Sequence, residues 1–486
     1  MSTLVRNLEP KEVWNMFADL NAVPRPSKKE GRVIQFMVDF GKKLNLETFV
    51  DQVGNVIITK PATKGLENRK TVVLQSHLDM VHQKNLDTIF NFEKEGIKML
   101  IQGDWVTADG TTLGADNGLG VASIMAVLAS TEIEHPNLEA LFTIDEETGM
   151  TGAMGLEAGV LKGEILLNLD TEEDDEIGMG CAGGIDVTAT RNYSEEPVPE
   201  TSTAFTISVK GLNGGHSGMD IIKGLGNANK IMNRLLFEGA TNCGLKISEV
   251  NGGSLRNAIP RESFALVTID AASTEFILLK ISELINNIKE EFSTIERNLI
   301  IEFQETQLPE KVMEPAVQEG FLKSIYAAFN GVYRMSPDIE NLVETSNNIA
   351  RVIVKSGQIK IGCLTRSSSE TNKIDLANSL KSAFELSGFD VELSGEYPGW
   401  QPNINSEILD IVSNLYENLH GEKAKVEACH AGLECGILGQ NYPEIDMVSF
   451  GPTIRGAHSP DERASISSTK KFWNFLIEIL KNIPKK

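Results

Sequence analysis

Apolar runs alternate with helical patterns along the chain up to about residue 185. The runs typical of buried strands are NVIITK, TVVLQSHLD, LEALFTID and EILLNLD. In LGVASIMAVLAS, Val121, Ile124 and Leu128 fall on one helical face, and Asp116 or Asn117 is placed to cap that helix. The alternation predicts an α/β domain whose largely parallel sheet is flanked by helices.

The pattern changes from about residue 187. Two consecutive sets of helices and mostly antiparallel strands follow, from AFTISVKG to NLIIEFQ and from FLKSIYAAF to DVELSG, and they indicate a duplicated α+β domain. After EYPGWQPN, the segments SEILDIVSNLYENLH, DMVSFGP and STKKFWNFLIEILKNI return to the first pattern. We therefore predict one domain from residues 1–186 plus 397–486, with an α+β lid domain, residues 187–396, inserted into it.

Size and composition agree with two domains in a globular protein. The chain has 486 residues, which exceeds the roughly 250–300 residues that one core supports. Hydrophobic residues make up 41%, and no apolar run reaches the ~18 residues that a membrane span needs. The amino terminus has no basic segment followed by an apolar core and a cleavage site, so we expect a cytoplasmic protein without membrane contacts.

The net charge argues against one class of partner, and the cysteine content argues against two kinds of site. A net charge of −23 repels phosphate backbones, so nucleic acid is not an expected partner. The five cysteines are scattered without a C-x-x-C pair, which indicates reduced thiols and neither a disulfide framework nor a thiolate zinc site. The excess of acidic residues either keeps the protein soluble or indicates that some of the carboxylates converge on metal cations.

Polar side chains stand where the predicted strands end. His77 and Asp79 point the same way at the end of TVVLQSHLD, and open α/β sheets bind ligands at this edge. Taken singly, each such residue has a simpler explanation as hydrogen-bonded structure, a solvated surface, a helix cap or a loop residue. The further residues in this set are Asp116, Glu146, Glu147, Asp170 and His458.

One arrangement accounts for the whole set: two histidines and several carboxylates on loops at the same edge of one sheet. Nitrogen and oxygen ligands without cysteine suit zinc in an open catalytic site, or a related divalent metal. Two metals ~3.5–4 Å apart need a bridging carboxylate, which this set supplies, and one acid remains to act as a base.

Other motifs carry less chemistry. GMGCAGG matches G-x-G-x-x-G, but it leads into the strand-like IDVTAT and opens no helix, which excludes dinucleotide binding. No G-x-S-x-G elbow, Walker loop or H-E-x-x-H helix is present. Cys429, His430 and Cys435 are better explained by a helix start that lines a pocket than by a thiol metal site.

Three segments of the inserted domain are open to two interpretations. His216 in LNGGHSGMDI and Asn257 in GGSLRNAIPRE lie beside glycines that either shape turns or form a site. Arg366 in CLTRSSS either binds a substrate carboxylate through its planar fork or is an ordinary surface arginine.

Eight blocks of the sequence, spread over the chain, resemble one family. They are SHLDMV, GTTLGADNGLGVA, DEETGMTGA, LLNLDTEE, GLNGGHSGMDI, GGSLRNAIPRE, HAGLECGIL and RGAHSPDER. In this order they resemble the aminoacyl-histidine dipeptidases, also called Xaa-His dipeptidases or peptidase D. These belong to the dinuclear-zinc metallopeptidases, with glutamate carboxypeptidase, tripeptidase T and aminoacylase.

The resemblance implies a role for each residue of the set. His77 and Asp170 would hold one zinc ion, Glu147 and His458 the other, and Asp116 would bridge both. Asp79 would orient His77, Glu146 would be the general base for the water that bridges the ions, and His216 would polarise the scissile carbonyl. The implied contacts to substrate are Asn257, Arg366 and Glu434.

The resemblance also implies an activity. We expect a zinc dipeptidase with two Zn²⁺ per subunit, or Co²⁺ or Mn²⁺ in their place, and broad tolerance with a preference for Xaa-His, including β-alanyl-histidine. Shorter relatives dimerise through the lid domain, so a homodimer is expected, and whether His216 acts in its own subunit or across the dimer stays open. The alternatives are an N-acyl amino acid amidohydrolase on the same metals, or a metal- or peptide-binding protein without catalysis.

Overall fold

A computed structural model of the protein describes residues 2–486. The chain divides into two compact units. The first comprises the residues up to Cys181 together with Trp400–Ala428 and Leu433–Lys486, and the second comprises Ala182–Gly399 and Cys429–Gly432. The catalytic and lid roles that we assign to the two parts of the chain stay predictions.

The first unit is built on an eight-stranded mixed sheet. Its strands, from one edge to the other, are Glu47–Val50, Val56–Lys60, Leu138–Thr143, Val72–His77, Ile165–Asn168, Asp446–Ser449, Glu176–Cys181 and Lys425–Cys429. The four central strands are parallel, and the strands that flank them pair antiparallel. Every residue of Val72–His77 and Leu138–Thr143 is buried, which explains why apolar residues predominate in both strands.

Helices and a small second sheet complete this unit. The helices are Ser2–Val5, Lys11–Asn21, Gly31–Lys43, Ala115–Ala129, Glu146–Gly149, Thr151–Gly155, Glu407–His420, Glu434–Asn441 and Ile466–Lys481. The small sheet consists of Ile454–Arg455, Arg463–Ser465, Trp105–Ala108 and Met99–Gln102. No helix in the described part of the chain is long and apolar enough to cross a bilayer.

The helix Ala115–Ala129 corrects one prediction. Val121, Ile124 and Leu128 are buried as predicted, but neither Asp116 nor Asn117 caps the helix. The N-cap position is Gly114, in the left-handed region at φ 70°, and the two polar residues that follow have non-helical backbone angles. The Asn117 side chain donates to the carbonyl of Leu169 instead.

The second unit contains a nine-stranded antiparallel sheet made of two similar halves. One half runs Ser202–Lys210, helix Ala228–Cys243, Lys246–Gly253, Ser263–Asp270, helix Thr274–Glu291, Ile300–Thr306. The other runs Gly183–Asn192, helix Pro315–Ala327, Val343–Lys355, Gln358–Ser367, helix Glu370–Glu385, Asp390–Tyr397. Both have the order β-α-β-β-α-β, with the first and third strands adjacent at the centre of each half.

The duplication is nested, whereas the sequence predicts two consecutive sets. The strand Gly183–Asn192 opens one half, and the other half is inserted before that half continues at Pro315. Gly183–Asn192 follows the strand Glu176–Cys181 directly, so the G-x-G-x-x-G match joins two strands and opens no helix. The remaining strands are Glu195–Pro197 with Lys311–Met313, Gly215–His216 with Ala258–Ile259, and Gly331–Met335 beside Val343–Lys355.

Candidate metal centre

The predicted metal ligands of the first unit follow the ends of its central strands. His77 is the last residue of Val72–His77, and Asp170 comes two residues after Ile165–Asn168. Glu146 and Glu147 begin the short helix that follows Leu138–Thr143. Because these three strands are parallel neighbours, their carboxyl ends bring the side chains to one edge of the sheet.

Two groups of side chains share Asp116. In the first group, His77 Nε2 lies 3.2 Å from Asp116 Oδ1 and 3.5 Å from Asp170 Oδ1. In the second group, His458 Nε2 lies 3.2 Å from Asp116 Oδ2 and 2.9 Å from Glu147 Oε2. The candidate ligand atoms of each group all lie within 4.8 Å of one another. Asp116 therefore presents one carboxylate oxygen to each group, as a ligand shared by two cations would.

Asp79 contacts residues of both groups. His77 Nδ1 lies 3.2 Å from the carbonyl oxygen of Asp79 and 3.4 Å from its Oδ1, so a proton on Nδ1 leaves the lone pair of Nε2 directed at the carboxylates. The Asp79 carboxylate also accepts hydrogen bonds from the amides of Glu146 and Glu147 and from Ser27 Oγ. This buried residue thus orients one histidine and the start of the helix that carries two acids.

The pKa shifts within the two groups indicate a site that favours positive charge. Hydrogen bonds to Asp116 and Glu147 raise the pKa of His458 to about 11. Burial acts to lower the pKa of His77, but Asp170, Asp116 and Asp79 raise it well above its usual value. Burial acts to raise the pKa of Asp116, but the hydrogen bonds to His458 and His77 hold it far below its ordinary value. Clustered carboxylates of this kind favour any cation placed between them.

The residues present fit two divalent cations. Each group offers one imidazole nitrogen and two carboxylates, which are donors that zinc, cobalt and manganese accept. The Glu147 side chain is 3% exposed, and its Oε1 has no hydrogen-bond partner in the described residues. A buried carboxylate oxygen without a partner is costly unless a cation or water satisfies it.

Two further carboxyls of this unit lie close to the groups. Burial raises the pKa of Glu146 well above its usual range, and Asp170 and Glu434 add to the increase while His77 opposes it. Glu434 is fully buried at the start of helix Glu434–Asn441, and burial raises its pKa to about 7. Its Oε2 accepts hydrogen bonds of 2.6 Å from Gln75 and Thr143, whereas its Oε1 has no partner within the described residues.

The second unit brings His216, Asn257 and Arg366 near one another. The short strand Gly215–His216 pairs with Ala258–Ile259, which places exposed Asn257 beside His216. His216 Nε2 lies 3.5 Å from Arg366 Nη2. Arg366 is 4% exposed and donates to Tyr397 Oη at 2.7 Å, and no carboxylate in the described residues forms an ion pair with it.

His430 is a buried histidine of this unit that the sequence places at a helix start. Its Nε2 lies 2.7 Å from Ser346 Oγ. Burial, with Arg366 and His216 nearby, lowers the pKa of His430 to about 3. The groups of potential metal ligands found in the described residues consist of histidines and carboxylates.

We expect His430 to make the folded protein less stable in acid. Its folded-state pKa of about 3 lies below the ~6.5 of an unfolded chain, so the unfolded state binds the proton more readily. Its contribution to stability is complete above about pH 6.5 and is lost as the pH falls toward 3. His430→Gln should therefore lose less stability than the parent protein between about pH 8 and pH 5 in urea denaturation. An identical loss in both proteins would contradict this assignment.

Sequence reasoning missed two buried charged residues of the first unit. Arg25 and Glu462 are 1% and 2% exposed, and both hydrogen-bond to the segment that leads to Asp116. Glu462 stands in the motif RGAHSPDER four residues after His458, which was the only available signal. Nothing in the sequence around Arg25 marks it.

Comparisons with known proteins cover the chain from end to end. The model of Peptidase family M20/M25/M40 matches residues 73–482. Cytosol non-specific dipeptidase of Escherichia coli (strain K12) is 43% identical over 479 residues, which are 99% of each chain. The crystal structure of aminoacylhistidine dipeptidase from Vibrio alginolyticus is 44% identical, with a TM-score of 0.93 over 100% of both chains. An aminopeptidase from Bacillus cereus shares the fold. It is 17% identical, with a TM-score of 0.58 over 98% of this chain and 99% of its own. The predicted fold class is confirmed.

Proposed function

This chain belongs to peptidase family M20/M25/M40 and is a metal-dependent peptidase, and from that premise we propose that it is a cytoplasmic dizinc dipeptidase with a preference for Xaa-His. The observation that carries the proposal is the pair of ligand groups that share Asp116, with Glu146 beside them. The names of the two relatives, a cytosol dipeptidase and an aminoacylhistidine dipeptidase, support the location and the substrate class. Cobalt and manganese suit the same donors as zinc.

Glu146 is the proposed proton carrier. Two divalent cations held by the groups would polarise the peptide carbonyl and acidify water. Glu146 would take the proton of the attacking water and deliver it to the leaving amine, a role that its half-buried position next to Glu147 and His77 permits. The amide of Glu146 donates to Asp79 at 3.0 Å, so the base is held on a fixed turn of helix.

His216 is the proposed donor to the carbonyl oxygen. The amides of Gly218 and Met219 donate to its Nδ1 at 3.2 and 3.1 Å, so the proton of the neutral ring is on Nε2. Burial and the nearby Arg366 lower the pKa of His216 to about 4, which keeps the ring neutral at cytoplasmic pH. A neutral Nε2–H can stabilise the oxyanion that forms when water attacks the carbonyl.

Arg366 and Glu434 are the proposed contacts to the two ends of a dipeptide, and Asn257 is a third substrate contact. Arg366 is buried without an ion-pair partner among the described residues, and its guanidinium suits the terminal carboxylate. The Oε1 of Glu434 is likewise buried without a partner there, and it suits the terminal ammonium group. An N-acyl amino acid has no ammonium group to satisfy Glu434, and this difference favours a dipeptidase over an N-acyl amidohydrolase.

The proposal is tested by hydrolysis of matched substrates with the zinc-loaded protein. The panel contains Ala-His, β-alanyl-histidine, Ala-Ala and N-acetyl-histidine. We expect hydrolysis of all three dipeptides, with kcat/KM for Ala-His about tenfold or more above that for Ala-Ala, and little hydrolysis of N-acetyl-histidine. Equal rates for Ala-His and Ala-Ala would remove the histidine preference. Hydrolysis of N-acetyl-histidine without competition from dipeptides would replace the dipeptidase by the amidohydrolase.

We also propose a homodimer formed through the second unit. The strand Ile300–Thr306 lies at an edge of the nine-stranded sheet, where its outer backbone groups are open to pairing. The helix Thr274–Glu291 leaves Phe276 and Leu279 54% and 59% exposed, which supports an apolar contact there. A monomeric mass in sedimentation velocity would contradict this proposal.

A further inference from the structure

Glu462 is a buried carboxylate that binds four consecutive backbone amides. Its Oε2 accepts hydrogen bonds from the amides of Leu113 and Gly114 at 2.7 and 2.9 Å. Its Oε1 accepts from the amides of Ala115 and Asp116 at 2.7 and 3.3 Å. No lysine or arginine in the described residues forms an ion pair with it, and the four amides satisfy both of its oxygens.

The position of Glu462 in the chain ties two parts of the candidate metal centre together. It lies four residues after His458, in the connection between Ile454–Arg455 and Arg463–Ser465. That connection is closed by hydrogen bonds from the amide of Ser459 to Gly456 and from the amide of Glu462 to Ser459. Because Glu462 binds the amide of Asp116 itself, it joins the loop that carries His458 to the segment that carries the shared carboxylate.

Arg25 also hydrogen-bonds to this segment. Its Nη2 donates to the carbonyl oxygen of Gly114 at 2.5 Å, and its Nη1 donates to the carbonyl oxygens of Leu78 and Asp79 at 3.1 and 3.2 Å. A Cβ on Gly114 would lie 2.6 Å from Arg25 Nη2, and the φ of 70° at this position also favours glycine. Arg25 thereby connects the end of the strand that carries His77 to the Asp116 segment.

We propose that Glu462 and Arg25 are positioning residues that fix Asp116 between His77 and His458, and that Glu462 sets the affinity for the cation held by Asp116, Glu147 and His458. This inference rests on the proposed metal-dependent function. Neither residue contacts the substrate in this proposal, because both act through the backbone of the Asp116 segment.

Loss of Glu462 should affect the two cation-binding groups unequally. His77 ends one strand at the centre of the sheet and Asp170 lies two residues after the next, so their positions depend on strand pairing. His458 lies on a loop with its side chain 54% exposed, and Glu462 links this loop to the backbone amide of Asp116. Loss of Glu462 should therefore weaken the cation group that contains His458 more than the group that contains His77.

The test is Glu462→Gln, examined by competition for zinc with a chromophoric chelator and by the zinc content after dialysis. Glutamine keeps the size, but its NH₂ group faces amides that need an acceptor. We expect one zinc equivalent to bind about 10- to 100-fold more weakly than in the parent protein and the other to be little changed. Thermal unfolding of the metal-free proteins measures the separate loss of stability.

Glu139→Gln is the matched control. Glu139 is 6% exposed and accepts hydrogen bonds from the amides of Lys162 and Gly163. It is at the opposite end of the strand Leu138–Thr143 from the acids of the candidate metal centre. Its loss should lower stability but leave both zinc affinities unchanged, which separates positioning from general destabilisation.

Each outcome decides the inference. Unchanged zinc affinities in Glu462→Gln, or equal weakening of both equivalents, would overturn it. If Glu462→Gln does not fold, Arg25→Met decides instead: methionine has no donor for the carbonyl oxygens of Gly114 and Leu78, and wild-type zinc affinity in that variant would overturn the proposal. A parent protein that binds no zinc would contradict the proposed function, a result that is distinct from both.

Discussion

Asp116→Ala is expected to abolish dipeptide hydrolysis and to leave the protein with at most one tightly bound zinc ion. Asp116 is the only described residue that belongs to both ligand groups, and each of its carboxylate oxygens lies 3.2 Å from a histidine nitrogen. Its removal leaves one imidazole and one carboxylate in each of these groups, which is too few for tight binding. Zinc content and hydrolysis of Ala-His measure the two effects.

Chelation and a surface variant are the controls for Asp116. The parent protein should lose activity on dialysis against a chelator and regain it with added zinc, whereas Asp116→Ala should not regain it. Asp109→Ala removes an exposed aspartate seven residues earlier in the chain and should behave as the parent protein. Retention of two zinc ions and parental activity by Asp116→Ala would refute a bridging role.

The edge of the central sheet is the part of the site that the sequence predicts well. His77 and Asp170 stand at the ends of apolar runs that are typical of buried strands, and parallel strands place their carboxyl ends together. Topology therefore brings together residues that are 93 positions apart in the chain without any information about side-chain contacts. The resemblance adds the chemical roles, which the pattern alone leaves open.

The surroundings of Asp116 could not be predicted in this way. A polar residue before an apolar helix indicates a cap, but here the left-handed Gly114 and the amides bound by Glu462 turn the Asp116 side chain toward the histidines. Glu462 is 346 residues away in the chain, and its partners are backbone amides, which leave no trace in the sequence. The nested duplication is hidden for a similar reason, because the strand Gly183–Asn192 pairs with Gln358–Ser367 across an inserted half.

Glu146→Gln should lower kcat for Ala-His by about 10²- to 10⁴-fold while both zinc ions stay bound. The amide has the size of the carboxyl but cannot accept the proton of the attacking water. Glu146 belongs to neither of the two groups that share Asp116, so its replacement leaves their six ligand positions intact. Because substrate contacts are also unchanged, KM should vary much less than kcat. Zinc analysis and steady-state kinetics on the same preparation measure these quantities.

Glu147→Gln is the matched control, since it makes the same chemical change one residue further along the same short helix. Glu147 Oε2 lies 2.9 Å from His458 Nε2, so its neutralisation should cost zinc affinity, and added zinc should restore part of the activity. No zinc concentration should restore Glu146→Gln, because its defect is in proton transfer. If Glu146→Gln kept parental kcat, the base would have to be another residue; if it lost one zinc ion, Glu146 would be a ligand instead. Full retention of biological function by the inactive Glu146→Gln protein would favour the binding protein without catalysis.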